Sequence, residues 1–119
     1  MTPEEVLFDN ISQLGYSVYP IIAPQNKKIP FIIYNVTANT ITTHIDGSNS
    51  LDNLLEVRFL VSVYAKTYKE MKSMVHRILD NLININNNEY KIVIYGTVDS
   101  YDENGYRSNI DLKIYQQIN

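Results

Sequence analysis

The chain has 119 residues, a length that fits one domain over 1–119, with a net charge of −3 and a pI near 5.2. It has no cysteine, which excludes disulfide scaffolds and thiolate metal sites, and its acidic balance is unlike the basic footprint of nucleic-acid-binding proteins. No apolar run approaches the ~20 residues of a membrane span. Glu4 and Glu5, without a basic segment beside them, lead us to expect no signal peptide.

The first predicted element is a helix over about residues 3–14. Thr2 is placed to cap it, Pro3 suits the first turn, and Glu5 completes a capping box. Gly15 suits the left-handed residue that commonly follows a helix. The helix carries one apolar stripe, made by Leu7, Ile11 and Leu14.

Two strand candidates follow this helix. Tyr16–Ala23 is rich in β-forming residues, but Pro20 cannot donate to a ladder, so we expect an edge strand or a short extended segment. Phe31–Thr43 is a longer candidate. Its first part, Phe31–Tyr34, is apolar on both faces, which predicts that other parts of the protein pack against both faces of the strand there. Its second part, Thr37–Thr43, is polar and is expected to leave the core.

A polar stretch from His44 to Asn53 separates that strand from the next. Asp46-Gly47 is a turn signal within it. We interpret the stretch as the tip of a long hairpin that joins strands 31–43 and 54–65, with little to anchor it in the isolated protein.

The next stretch, from Leu54 to Leu82, is predicted to form one strand followed directly by one helix. Apolar residues first recur at every second position, which is typical of a strand with one buried face. At Thr67 the apolar period becomes three to four, which predicts a helix ending near Leu82. Thr67 and Glu70 fit a capping box at its start. The alternating strand residues are Val57, Phe59, Val61, Val63 and Ala65.

Two more strands close the chain. Lys91–Val98 is predicted to be a strand. Its alternating positions place Ile92, Ile94 and Val98 on one face and Val93 and Tyr95 on the other. An Asn-Gly turn at 104–105 leads to a final strand over Asn109–Gln117. The predicted fold is therefore α+β, a mostly antiparallel sheet with two helices in the order α-β-β-β-α-β-β.

The sequence offers no constellation that predicts catalysis, cofactor binding or metal binding. The two histidines, His44 and His76, have no partner ligand at useful spacing. Asp99, Asp102 and Glu103 cluster in one turn, but their spacing does not match a calcium loop. The four glycines are isolated, which excludes a glycine-rich phosphate loop. We therefore expect no enzyme, no cofactor and no bound metal.

The order and residue types of these elements resemble the tail-completion proteins of long-tailed bacteriophages, the tail terminator and tail-to-head joining group. The resemblance covers nearly the whole length. After the first helix, Pro30–Tyr34 opens a strand, a polar loop follows, and Glu56–Ala65 forms the next strand. Thr67-Tyr68 then begins a helix ending near Leu82, and a β-hairpin closes the chain. These are patterns of elements, not a catalytic signature.

The resemblance implies a structural virion protein of the tail neck, made in the cytoplasm of a bacterial host. Such proteins form a ring, commonly a hexamer, that caps the head-proximal end of the tail tube. The implied partners are further copies of the chain, the tail tube protein and the head-tail connector protein, without sequence-specific nucleic-acid binding or a membrane. Two alternatives stay open: a neck or connector component of a phage-like particle, and a small bacterial ligand-binding domain or enzyme with a cleft between sheet and second helix.

Two hypotheses about sites accompany this interpretation. Apolar residues in the polar hairpin arm are expected to contact a neighbouring copy or the tube, the alternative being that they fold back on their own domain: Ile41, Ile45 and Leu51. Acidic residues in two exposed turns are expected to face the DNA channel, since walls that do not bind phosphate let DNA pass: Asp46, Asp52, Asp102 and Glu103.

Overall fold

The computed structural model describes residues 2–25, 28–43, 53–85, 89–103 and 105–118. Helices and strands follow the predicted order along the chain. They are α1 (Pro3–Ser12), β1 (Ser17–Pro20), β2 (Phe31–Thr43), β3 (Asn53–Ala65), α2 (Tyr68–Ile83), β4 (Tyr90–Asp102) and β5 (Gly105–Ile118). The molecule is elongated, with extents of 55 × 25 × 22 Å. No helix within the described ranges is both long and apolar enough to cross a bilayer.

The strands form one five-stranded sheet in the order β1-β2-β3-β5-β4. The pairs β2–β3, β3–β5 and β4–β5 are antiparallel, whereas β1 runs parallel to β2, so the sheet is mixed. Strand order in space differs from chain order, because β5 lies between β3 and β4. The short strand β1 is at one edge, as its proline predicted, and β4 forms the other edge.

Both helices begin at the caps that the sequence predicts. In α1, the Glu5 amide donates to Thr2 Oγ1 (3.2 Å) and the Thr2 amide donates to Glu5 Oε1 (3.1 Å). In α2, the Glu70 amide donates to Thr67 Oγ1 at 3.1 Å, which is one half of the predicted capping box. Helix α1 ends at Ser12, two residues earlier than expected, and Gly15 has the predicted positive φ of 91°.

The core lies between one face of the sheet and the two helices. Helix α2 packs on β3 and β5, while α1 packs against α2 and β1. The alternating residues of β3 all face the helices, as their period of two predicted. The largest side chains with almost no exposed surface on this side include Leu7, Ile11, Ile32, Phe59, Met71, Met74, Ile78, Leu82, Ile110, Leu112 and Ile114.

Strand β2 behaves differently in its two halves. Ile32 and Tyr34 face the helices, and Phe31 is also buried although it points to the other face. The Phe31 ring stacks on that of Tyr64 with 4.6 Å between centroids, which supplies the predicted cover on the second side. Beyond a bulge between Val36 and Ala38, the strand leaves the core, and its described side chains are exposed.

Strand β4 corrects two expectations. It continues to Asp102, through most of the stretch that the sequence suggested as a turn. It also contains a bulge between Ile94 and Gly96 that shifts its register against β5. Because a bulge adds one residue to a two-residue period, Val98 lies on the face opposite Ile94 rather than beside it.

Candidate functional site

The titratable residues that the structure describes are spread over both faces of the sheet. Within the described part of the chain, no group of three His, Asp or Glu residues could hold a metal ion. His76 is exposed on α2, and His44 lies outside the described residues. The candidate site is therefore sought on the surfaces of the sheet: its open face and its two edges.

The open face, opposite the helices, is crossed by paired charges. Arg58 of β3 forms a two-pronged contact with Asp111 of β5, from Nε to Oδ1 at 3.0 Å and from Nη2 to Oδ2 at 2.7 Å. This hydrogen bonding holds the pKa of the Asp111 carboxyl below its usual value. The Arg58 guanidinium also lies 5.0 Å from the ring centroid of Tyr95, a cation–π distance.

The same face has further polar pairs between adjacent strands. Lys113 Nζ lies 3.4 Å from Glu56 Oε2, and the Ser62 hydroxyl donates to Asn109 Oδ1 at 2.7 Å. Opposite charges are thus matched across adjacent strands, where such pairs stabilise a sheet. The centre of the open face is already satisfied within one copy of the chain.

On the other face, one polar contact joins α2 to the edge strand β4. The Asp99 carboxylate forms an ion pair with Lys72 of α2 and accepts a hydrogen bond from the buried Ser108 hydroxyl at 2.7 Å. The hydrogen bond from Lys72, and after it the hydrogen bond from Ser108, lowers the pKa of the Asp99 carboxyl below its usual value. Asp99 therefore acts as a structural tie, and it does not share a site with Asp102 and Glu103.

The edge next to β1 ends in an unusual turn. The Ile22 amide donates to the Pro20 carbonyl at 2.7 Å, and Ile21 between them has a φ of +67°. This is the rare form of γ-turn, and a positive φ is a true outlier for a β-branched residue. The side chains of Ile21 and Ile22 are 73% and 76% exposed. A strained backbone thus presents two adjacent isoleucines to solvent.

The opposite edge, along β4, exposes three large side chains, Tyr95 and Val98 on the open face and Tyr101 on the helix-covered face. Val98 is 68% exposed and Tyr101 is 71% exposed, and Tyr95 is half exposed. Tyr101 packs edge-on against Tyr106 with 4.8 Å between ring centroids, which holds its ring in place. As an edge strand, β4 also leaves one row of backbone groups outside the sheet's ladder. Exposed aromatic side chains beside such an edge are typical of protein interfaces.

The space between the sheet and α2, where the alternative interpretation expects a cleft, is filled by side chains. Met71, Met74 and Ile78 occupy that space with no exposed surface. A cavity of about 390 Å³ lies elsewhere, on the open face near the start of β4 and the end of β5, where its lining includes Val93 and Tyr115. It is therefore on the opposite face of the sheet from the predicted cleft.

The proposed interface and channel residues are only partly described. Ile41 lies on β2 opposite Leu55 of β3 and is 66% exposed, so its side chain does not fold back on the core. Asp102 ends β4, with its carboxylate 3.9 Å from Arg107, and Glu103 follows it at an exposed position. The remaining residues of both sets lie outside the described residues: Ile45, Leu51, Asp46 and Asp52.

Sequence reasoning missed the large exposed side chains at the two edges. Ile21 and Ile22 read as the end of a strand because they are strong β-formers, whereas β1 stops at Pro20. Strict alternation puts Val98 on the same face as Ile92 and Ile94, because it takes no account of the bulge. Gly96 inside a strand pattern was the available signal, since an isolated glycine there often marks a bulge.

Comparison with known proteins concerns the fold. No protein-family model matches the sequence, and no curated protein matches it. The fold is similar to that of one chain in the solved virion of a native gene transfer agent (GTA) particle, with a TM-score of 0.63 and 11% sequence identity. The alignment covers 94% of this chain and 92% of that chain. The two chains therefore share their fold over nearly their whole lengths.

Proposed function

We propose that this protein is a structural component of a phage or phage-like virion, acting as an oligomeric ring that caps the head-proximal end of the tail tube. The observation that carries the proposal is the whole-length similarity in fold to a chain of a gene transfer agent virion. The sequence pattern independently resembles the tail-completion proteins. In this role the ring, proposed to be a hexamer, ends tube polymerisation and provides the surface on which the head-tail connector protein docks.

The shape of the chain supports an assembly role. Beyond its bulge, strand β2 continues past the helix-covered core beside β3, which is itself paired with β5, and Ile41 is exposed near the end of β2. A ring needs head-to-tail contacts between two different patches of each copy, and long arms and sheet edges can supply them. This role requires no catalytic residue, cofactor or membrane.

The arm provides one proposed contact. Ile41, Ile45 and Leu51 would pack on a neighbouring copy or on the tube protein, burying apolar surface that the isolated chain exposes at Ile41. Replacing all three with serine should impair ring assembly while the domain stays folded, as measured by native mass and circular dichroism. Unchanged assembly would show that the arm is not a contact.

The acidic turns provide a second proposed feature. Asp46, Asp52, Asp102 and Glu103 would face the central hole, where negative charge keeps the DNA backbone from binding. The Asp102 carboxylate lies beside Arg107, so part of its charge is balanced within the chain. An image of the ring that places both turns on its outer rim would overturn this assignment.

The deciding experiment is tube growth in vitro. Purified tail tube protein is allowed to polymerise with and without this chain, and tube lengths and tube ends are measured by electron microscopy. We expect shorter tubes with a ring at one end, and loss of both effects with the triple serine variant. Rings that bind purified connector but never tube ends would instead indicate a neck or connector component.

A further inference from the structure

The later part of strand β2 is an edge of the sheet. Strand β1 pairs only with Phe31–Tyr34, so among the described residues the stretch 35–43 of β2, here called the free edge, pairs with β3 alone. The free edge contains neither a charged residue nor a proline, two of the devices with which proteins protect exposed edges. A groove of about 340 Å³ lies where β1 ends, and its lining includes Pro20, Tyr34 and Val36. Such an edge can accept an added strand.

We infer that the free edge of one copy pairs with the end of β4 from the next copy, so that one antiparallel sheet continues from copy to copy. The β4 end is Gly96–Asp102, the part of the strand that follows its bulge. The inference rests on the proposed function and names the contact that would build the ring. Because the two surfaces differ, every added copy leaves one of each available until the ring closes.

The directions of the strands fit this pairing. Strand β2 is antiparallel to β3, β3 to β5, and β5 to β4, so β4 is antiparallel to β2 within one copy. A second copy in the same orientation, displaced sideways, therefore presents its β2 antiparallel to β4 of the first. The helices of both copies then lie on the same face of the joined sheet.

The hydrogen-bonding pattern fits as well. In antiparallel strands, residues that bond to one neighbour alternate with residues that face the other side, in step with the two faces of the sheet. The Tyr34 carbonyl accepts a bond from the turn after β1, so helix-side residues of β2, such as Ile41, point outward. The open-face Gln117 of β5 donates to the Glu89 carbonyl, so helix-side residues of β4, such as Thr97, point outward too. The outward residues of both edges therefore share one face, as paired residues must.

The two copies must be staggered along the strands. Without a stagger, β1 of the second copy would occupy the path of β4, because β1 and the β4 end lie at the same level of the ladder. Tyr101 lies at the level of Ala65 and Val36 at that of Phe59, so a shift of about six residues, roughly 20 Å, brings Tyr101 opposite Val36 and clears β1. Successive copies are four strand spacings apart, roughly 19 Å. The strands then tilt by about 45°, at the upper end of the tilt of about 35–45° with which sheets close on themselves.

With this stagger, Tyr101 lies beside the groove at the end of β1. Its side chain is 71% exposed, and its ring is held against that of Tyr106 with 4.8 Å between centroids. The groove presents the exposed Ile21 side chain and the Tyr34 ring, and the Glu4 carboxylate in its lining can accept a bond from the Tyr101 hydroxyl. Tyrosines that fill a pocket on the partner are frequent anchors of protein interfaces.

The helices on the two sides of the contact have opposite charge. Helix α1, whose first turn contacts β2, has three acidic residues and no basic one. The start of α2 lies beside the β4 end, where Lys72 pairs with Asp99, and it adds the exposed Lys66 and Lys69 against one acidic residue, Glu70. The pairing brings the acidic flank of one copy to the basic flank of the next. This charge complementarity argues for a second copy rather than an unrelated strand.

The absence of cysteine from the sequence allows a direct test of the register. With Tyr101 opposite Val36, Thr97 lies opposite Ile41 of the next copy. The variant Ile41→Cys/Thr97→Cys is oxidised as the purified full chain, alone and with tail tubes, and analysed by non-reducing electrophoresis. A disulfide needs Cα atoms about 4.4–6.8 Å apart, whereas three strand spacings, roughly 14 Å, separate β2 from β4 within one copy. We expect a ladder of covalent dimers, trimers and larger species.

The matched control moves one thiol by a single residue. In Thr40→Cys/Thr97→Cys, the new thiol stays on the exposed free edge, but Thr40 lies on the open face whereas Thr97 lies on the helix side. We expect its ladder to be about tenfold weaker, with both variants folded by circular dichroism. Equal ladders in the two variants, or no ladder in either condition, would overturn the inference.

A charge exchange tests the choice of occupant. In the Ile41→Cys/Thr97→Cys background, Lys69→Glu should weaken the ladder, and adding Glu4→Lys should restore it. Failure of the exchange to restore the ladder, or cross-links to tube protein alone, would overturn the inference. Capping of tubes without the ladder would leave the proposed function standing and remove this contact, whereas a ladder without capping would do the reverse.

Discussion

The two faces of the sheet present different kinds of side chain. Toward the helices, β3 and β5 present apolar side chains with almost no exposed surface, such as Phe59 and Leu112. Away from the helices, the same strands present matched charges such as Arg58 and Asp111. The first face accounts for stability, because burial of apolar area is the main favourable term in folding. The charges described on the second face are paired within one copy of the chain, so they do not by themselves call for a partner.

The sharpest test of this contrast compares two neighbouring residues of β3. Phe59→Ala removes a fully buried ring between the sheet and the helices and should cost about 3–5 kcal/mol of unfolding free energy. Leu60→Ala, on the open face and half-buried, should cost about 1 kcal/mol. Urea denaturation followed by circular dichroism measures both. Equal losses would mean that the open face is as important to folding as the helix-covered face.

A smaller effect is expected where the covering helix begins. Thr67→Ala removes the hydroxyl that accepts from the Glu70 amide and should cost about 1 kcal/mol. Thr67→Ser keeps the hydroxyl and should cost less than half as much in the same denaturation experiment. If the two variants lose equal stability, the hydroxyl does not cap α2.

Acid pH should weaken one ion pair on each face of the sheet. Arg58 lowers the folded pKa of Asp111 on the open face, and Lys72 with Ser108 lowers that of Asp99 under α2, each from an ordinary value of 3.8. A depressed folded pKa contributes stability that is present above the unfolded pKa and lost as pH falls through the folded pKa. Stability should therefore decline below about pH 4.

Two variants test whether these two carboxylates cause the loss of stability at low pH. Asp111→Asn and Asp99→Asn should each lower stability at pH 7 and flatten its dependence on pH below about 4, with the smaller change at Asp111, whose side chain is more exposed to solvent. Thermal melts from pH 7 to pH 2.5 measure this. A pH profile identical to that of the wild type in both variants would exclude these carboxylates as its source.

The predictability of the fold followed the same division. Strand β2, with its bounds Phe31–Thr43, and the caps at Thr2 and Thr67 were predicted correctly, because periodicity and capping act over a few neighbouring residues. The position of β5 between β3 and β4 was not predicted, since it depends on which long-range pairing buries the most apolar surface. Local sequence pattern contains little about that choice.

The candidate site was harder to predict for a related reason. An exposed isoleucine and a buried one are the same letter, and only the end of β1 at Pro20 and the bulge before Gly96 put Ile21, Ile22 and Val98 at the surface. The interface residues inferred from sequence lay instead in the hairpin arm. Of these, Ile41 is exposed in the structure, and its proposed role remains to be tested.

The smallest expected effect on stability concerns the turn that follows β1. Ile21→Gly relieves a β-branched residue held at a φ of +67°, strain on the order of 1–3 kcal/mol, against a flexibility cost of roughly 0.5–1 kcal/mol for glycine. The difference between the two is roughly 0–2.5 kcal/mol, so we expect the isolated domain to become more stable, by about 1 kcal/mol. Its neighbour Ile22→Gly gains no such relief and should lose roughly 0.5–1 kcal/mol. Both variants remove an exposed isoleucine side chain, so urea denaturation of the two compares the backbone effect directly. A gain at Ile21 with a loss at Ile22 would show that the positive φ of Ile21 costs stability, whereas equal losses would show that it does not.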